Sequence, residues 1–125
     1  MSDHRITVLP GDGTGREVAL EAQRILETIQ AHSNHGFDQT VIPCGGENYM
    51  ATGEEWAEGS FDICKNETDA IFLGAIGYPG ARLPNGDLAG GSVTLGLRSG
   101  LALYANVRPI KLYAGVPHKI RGSFR

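Results

Sequence analysis

Apolar positions change their spacing several times along the chain, and each change marks an element. Ile6-Thr7-Val8-Leu9 is a short apolar run and predicts a strand, closed by the turn Pro10-Gly11-Asp12-Gly13-Thr14-Gly15. From Arg16 the period lengthens. Val18, Ala22, Ile25, Leu26 and Ile29 recur at three- and four-residue steps, which predicts a helix with one apolar stripe. Glu17, Glu21, Arg24 and Glu27 occupy much of its other side, and Glu17 falls in the first turn, where the positive helix end favours it. Ser33-Asn34-His35-Gly36 predicts the stop, near His32. Phe37 to Ile42 is rich in strand formers and predicts a second strand, broken by Cys44-Gly45-Gly46. Glu47 to Ala51 predicts a short helical turn that Thr52-Gly53 ends. Glu54 to Asn66 predicts a weaker helix with Trp56, Phe61, Ile63 and Cys64 as its apolar members. Its acidic residues Glu54, Glu55 and Glu58 read as a solvated face.

The second half begins with Asp69 to Ile76, a continuous apolar run that predicts a central parallel strand covered on both faces. Gly77 to Gly91 follows as a loop too long and polar to be mere connection. Ser92 to Leu103 predicts a helix with Ser92 as N-cap, weakened by Gly96 and Gly100. Asn106 to Tyr113 predicts a strand that Pro109 confines to an edge or an end. Strand and helix alternate, which implies an α/β fold with a largely parallel sheet and flanking helices. No internal repeat or domain boundary interrupts residues 1–125, and Lys119 to Arg125 reads as a chain cut in mid-course.

Composition narrows the function classes. The 125 residues are 41% hydrophobic and 20% charged, which fits one globular domain and excludes a disordered chain. A net charge of -3 gives no reason to expect nucleic acid or an anionic membrane as partner. The polar start Met1 to Arg5 and the short run Ile6 to Pro10 make no signal core. Cys44 and Cys64 have no zinc-type spacing, so reduced thiols and a cytoplasmic location are expected. His32 and His35 lack companion ligands at metal spacing and read as surface histidines, and the sequon Asn66-Glu67-Thr68 reads as idle.

Arg98 and Arg108, ten positions apart in apolar surroundings, are the strongest candidates for chemistry. A guanidinium presents a planar fork that matches a carboxylate or phosphate. The competing structural reading has Arg98 snorkelling from a helix and Arg108 at a strand end. Ser92 at the helix start, and Thr94 one turn before Arg98, add hydroxyls and N–H groups that can meet an anion. Gly11 and Gly13 satisfy the start of a dinucleotide fingerprint, but Arg16 occupies the third glycine position and no Gly-Lys-Ser/Thr follows. A tight strand-to-helix turn is therefore the favoured reading there.

Three segments carry a resemblance. Ile6 to Val18, with Pro10-Gly11-Asp12-Gly13-Thr14-Gly15, resembles the opening signature of the isocitrate/isopropylmalate dehydrogenase family. Asp69-Ala70-Ile71-Phe72-Leu73-Gly74-Ala75-Ile76-Gly77 is similar to its next strand and cofactor loop. Leu97-Arg98, then Leu103-Tyr104-Ala105-Asn106-Val107-Arg108-Pro109, is similar to its substrate-arginine segment. The resemblance implies the N-terminal portion of a non-Rossmann, isopropylmalate-dehydrogenase-like α/β fold, left incomplete. It implies oxidative decarboxylation of a malate-type 2-hydroxy acid with NAD or NADP and Mg2+ or Mn2+. It also implies a homodimer at full length. By position, Arg98 and Arg108 match two substrate arginines, Ser92 and Thr94 lie where the variable substituent is contacted, and Ile76, Gly77, Tyr78 and Pro79 match a cofactor-lining segment.

The chain departs from the family at Arg16, where proline is frequent, and at Tyr78, where glycine is. The resemblance places the third substrate arginine, the catalytic tyrosine and lysine, the metal-binding aspartates and the residues choosing NAD or NADP beyond residue 125. No catalytic residue or metal ligand is therefore expected here, and the chain alone is expected to be inactive. Ser92 and Thr94 predict a polar or minimal substituent, as in isocitrate, homoisocitrate, malate or tartrate, over isopropylmalate. Two alternatives remain open at this point: a non-catalytic anion-binding α/β module, and a gene fragment without a stable fold.

Overall fold

A computed structural model describes residues 2–113, 115–117 and 119. Strand β1 (Ser2–Leu9) leads through the glycine turn into α1 (Thr14–Ala31), and β2 (His35–Val41) returns beside it. Two short helices follow, α2 (Gly46–Thr52) and α3 (Ser60–Asn66), then β3 (Ala70–Leu73) and α4 (Gly91–Gly100). The sheet has the order β2-β1-β3 and both pairings are parallel, with Ile6 opposite Gln39 on one side and Ala70 on the other. This is the α/β arrangement that the alternation of spacings predicts.

Helix α2 ends on Gly53 at φ 84, the left-handed conformation in which glycine is least strained. Leu9, Ile42, Cys44, Cys64, Val93 and Leu97 form the core, flanked by half-buried Trp56, Phe61, Ile71 and Ile76. Thr7, 2% exposed, is satisfied by the hydroxyl of Thr68 at 2.5 Å, and Thr68 donates to the Ile63 carbonyl at 3.0 Å. The hydroxyl of the sequon is thus engaged inside the fold.

Several expectations need correction. The central strand is β1, not the run Asp69 to Ile76. Among the described residues β3 pairs only with β1, and it is half-exposed, because only four residues of that run keep ladder geometry. Asn106 to Tyr113 forms no strand; it has no regular secondary structure, and Val107 and Ile110 stand in solvent. The helix expected over Glu54 to Asn66 starts only at Ser60, because Trp56 is held in an antiparallel bridge to Cys44. The apolar stripe of α1 is only partly covered: Ala22 and Leu26 are half-buried, whereas Val18, Ile25 and Ile29 are exposed, and the buried side chain of that helix is Ala19, outside the stripe. Helix α4 is capped by Gly90, in the left-handed region at φ 110, and not by Ser92. Residues 120–125, part of the stretch that reads as cut, lie outside the described residues.

Candidate functional site

The turn after β1 touches the chain leaving β3, and glycines permit the approach. A Cβ on Gly11 would lie 2.1 Å from the Ala75 carbonyl oxygen, and one on Gly74 would lie 2.0 Å from the Pro10 carbonyl oxygen. Neither obstacle is a movable side chain. Gly11, Gly15 and Gly74 therefore serve backbone-to-backbone packing.

At the centre of that contact is Asp12, 4% exposed. Its N–H donates to the Ala75 carbonyl at 2.8 Å. Its carboxylate accepts three backbone N–H groups: Gly46 at 2.9 Å and Gly77 at 2.8 Å on Oδ2, and Glu47 at 2.8 Å on Oδ1. A buried carboxylate is costly unless so satisfied, and these charge-assisted bonds supply what water would have given. One side chain thereby joins the β1–α1 turn, the start of α2 and the loop after β3. Arg16 and Glu47 reinforce the junction with an ion pair of 2.5 Å, and Glu47 accepts the Gly13 N–H at 3.2 Å. Cys44 lies against the same junction, and burial pushes its thiol up to about 11.

A second carboxylate works the same way on α4. Glu55 accepts the Gly90 N–H on one oxygen and the Ser92 N–H, at 3.2 Å, on the other. The positive end of the helix thus already carries an anion. Glu55 does not belong to a solvated face, unlike its neighbours Glu54 and Glu58, which are exposed. Its own carbonyl accepts the Gly45 N–H at 2.8 Å, so one segment meets both junctions.

The predicted binding residues distribute between these junctions and the surface. Ile76 packs against the core and fills the space a Cβ on Gly90 would need, Gly77 is held by Asp12, and Tyr78 and Pro79 are exposed beyond it. Thr94 donates its hydroxyl to the Gly90 carbonyl at 3.2 Å. Thr94 and Arg98 line one groove of about 430 Å3 with Ile71, Leu73, Leu97 and Leu101. Ser92 and Arg108 are exposed and lie outside that groove. The arginines differ in a telling way. Arg5 pairs with Asp69 at 2.9 Å, Arg16 with Glu47, and Arg24 with Glu21 at 2.5 Å, whereas Arg98 and Arg108 are exposed and pair with no described carboxylate. The apolar residues flanking these two arginines in sequence do not enclose them: both are exposed.

The family pattern described as isocitrate/isopropylmalate dehydrogenase matches residues 5–123. The chain belongs to that family. A 3-isopropylmalate dehydrogenase from Thermotoga maritima is 41% identical over 115 residues, covering 91% of this chain and 32% of that protein. One from Clostridium acetobutylicum is 38% identical over 113 residues, covering 90% and 31%. The crystal structure of a beta-decarboxylating dehydrogenase from Thermococcus kodakarensis, in its apo form, superposes with a TM-score of 0.61 at 29% identity, covering 81% of this chain and 27% of that one. The chain thus spans about a third of the length of the curated relatives it matches.

Sequence reasoning missed Asp12 and Glu55 as structural centres of this family member's site. For Asp12 a signal existed: a carboxylate between two glycines at a strand end, where backbone N–H groups converge. Glu55 had none, since its partner Gly90 lies 35 residues further along the chain.

Proposed function

We propose that the chain supplies the N-terminal half-sites of an NAD(P)-dependent β-decarboxylating dehydrogenase acting on a 3-isopropylmalate-type hydroxy acid. The observation that carries this reading is the division among the arginines. Arg5, Arg16 and Arg24 each have a carboxylate and Arg82 donates to the Gly86 carbonyl at 2.7 Å, whereas Arg98 and Arg108, which match the family's substrate arginines by resemblance, pair with no carboxylate among the described residues. Forked donors without an internal acceptor suit the carboxylates of a malate core.

The substituent follows from α4. The hydroxyl of Thr94 is engaged within the helix, and Glu55 holds the N–H groups at its start. A substrate carboxylate brought to this end would meet a resident carboxylate, whereas Leu95, 62% exposed, and the apolar wall near Arg98 suit an aliphatic group. This reverses the expectation drawn from Ser92 and Thr94 as free hydroxyls, and it agrees with the activity in the names of the relatives.

In such an enzyme Gly77, Tyr78 and Pro79 would line the nicotinamide cofactor, which would supply a hydride acceptor, and a divalent cation would supply Lewis-acid polarisation of the substrate hydroxyl. The described residues contain no grouping of three or more His, Cys, Asp or Glu that could hold such a cation by themselves. What they supply is carboxylate binding from Arg98 and Arg108 and a cofactor wall from Gly77, Tyr78 and Pro79. Homodimerisation at full length belongs to the same reading. The test is kcat/KM of a full-length enzyme carrying this chain as its N-terminal portion, across 3-isopropylmalate, isocitrate, malate and tartrate. Isopropylmalate leading by tenfold or more is expected, with no turnover by the 125-residue chain alone. Isocitrate leading overturns the substituent, and activity with none of these acids overturns the reading.

A further inference from the structure

We infer that Asp12 and Glu55 are two separate positioning residues, one for the cofactor loop and one for the substrate helix, both referred to the single segment Gly45 to Glu55. The inference rests on the proposed dehydrogenase reading and adds to it residues that touch neither ligand.

The loop after β3 is anchored further along by buried Ala81, whose carbonyl accepts the Ala89 N–H at 3.0 Å, but its hold at Gly77 is narrow. Gly77 stands at φ 150 with open space where a Cβ would point, Tyr78 is 40% exposed, and no helix or named strand begins before α4. Its ties at this point are the Ala75 carbonyl to the Asp12 N–H, the Gly77 N–H to the Asp12 carboxylate, and the close approach of Tyr78 to Gly46, where an added Cβ would lie 2.7 Å from the Tyr78 Cβ. The same carboxylate oxygen that takes Gly77 also takes Gly46, at 2.8 and 2.9 Å. The place of Tyr78 and Pro79 is therefore registered to the start of α2. An asparagine at position 12 keeps the size but offers one carbonyl oxygen to three N–H donors, and its amide N–H2 faces a donor. The loop should then lose its register while the fold keeps its glycine contacts.

Glu55 repeats the device at the other end of the segment. It holds the N–H groups of Gly90 and Ser92, and α4 carries Arg98 two turns further along. Gly90 also packs against Ile76, so the helix start has an apolar stop on one side and a carboxylate on the other. Glutamine retains one acceptor and the shape of the side chain, whereas alanine removes both. Because different carboxylates hold the two half-sites, their loss should separate in the kinetics, which a general loss of stability would not do.

The experiment is steady-state kinetics of the full-length enzyme and its Asp12→Asn, Glu55→Ala and Glu55→Gln variants, with thermal unfolding of each. Asp12→Asn should raise the cofactor KM tenfold or more and leave the hydroxy-acid KM within threefold. Glu55→Ala should raise the hydroxy-acid KM by a similar factor and leave the cofactor KM within threefold, and Glu55→Gln should recover most of that loss. Both KM values moving together, neither moving, or an Asp12→Asn protein that no longer folds overturns the inference. A parent enzyme without NAD(P)-linked activity overturns the dehydrogenase reading and this inference with it. An active parent whose variants show no separation overturns the inference alone.

Discussion

The Asp12 junction and the arginine segment differ in almost every physical respect. Around Asp12 the backbone groups named above have partners within the chain, glycines allow contacts no side chain would permit, and the carboxylate is buried. From Leu103 to Tyr113 the chain has no regular secondary structure, Tyr104, Val107 and Ile110 are exposed, and Arg108 has no described carboxylate beside it. Arg98 shares that condition although it sits on a helix. The first region meets its own electrostatic and packing requirements; the second presents groups whose requirements are still open. Rigid, self-satisfied backbone suits a region that sets geometry, and unpaired forked donors suit one that receives a ligand.

Glycine substitutions should separate the regions most sharply. Gly74→Ala drives a Cβ against the Pro10 carbonyl and should cost about 3 kcal/mol, because backbone must move to admit it. Gly96→Ala, in α4 with open space around it, should stabilise by about 0.5–1 kcal/mol, since alanine restricts the unfolded chain at a helical site. Urea midpoints for both variants test this, and a shift of the same sign in each would erase the contrast.

The arginines provide the next test. In the full-length enzyme Arg108→Lys should lower kcat/KM about a hundredfold, because lysine brings a point charge where a fork is required. A variant within threefold of its parent would make Arg108 a surface charge only. On stability the order should invert. Arg16→Ala should cost up to about 1 kcal/mol through loss of the half-exposed Glu47 pair, and Arg98→Ala should lie within about 0.5 kcal/mol of the parent, measured by thermal unfolding.

The smallest effect concerns the sheet end. The Arg5 guanidinium and N–H beside Asp69 hold its carboxyl down to about 2. A carboxyl lowered on folding stabilises the native state above its ordinary value of about 4, and that contribution disappears as pH falls toward about 2. Asp69→Asn should therefore flatten the acid limb of stability between those values and leave its shape above pH 5 unchanged. An identical acid limb would mean that the exposed pair is screened into irrelevance.

Much of the architecture was legible from spacing. Ile6 to Leu9, the stripe from Val18 to Ile29 and the strand formers from Phe37 to Ile42 each carry their period locally, and β1, α1 and β2 lie where that period puts them, within a few residues. Gly53 ends α2 because a left-handed cap is a property of one residue. The resemblance to the isocitrate/isopropylmalate dehydrogenases was legible too, since a motif is a local string. Sequence alone could not say which strand is central: Asp69 to Ile76 is more apolar than β1, yet only pairing decides that β1 has two neighbours. Nor could it say that Asp12 gathers N–H groups from residues 34 and 65 positions away, or that Glu55 rather than a ligand occupies the start of α4. Periodicity and turn chemistry act over a few residues and are written in the chain, whereas the partner of a buried carboxylate is chosen by whichever backbone the fold brings within 3 Å.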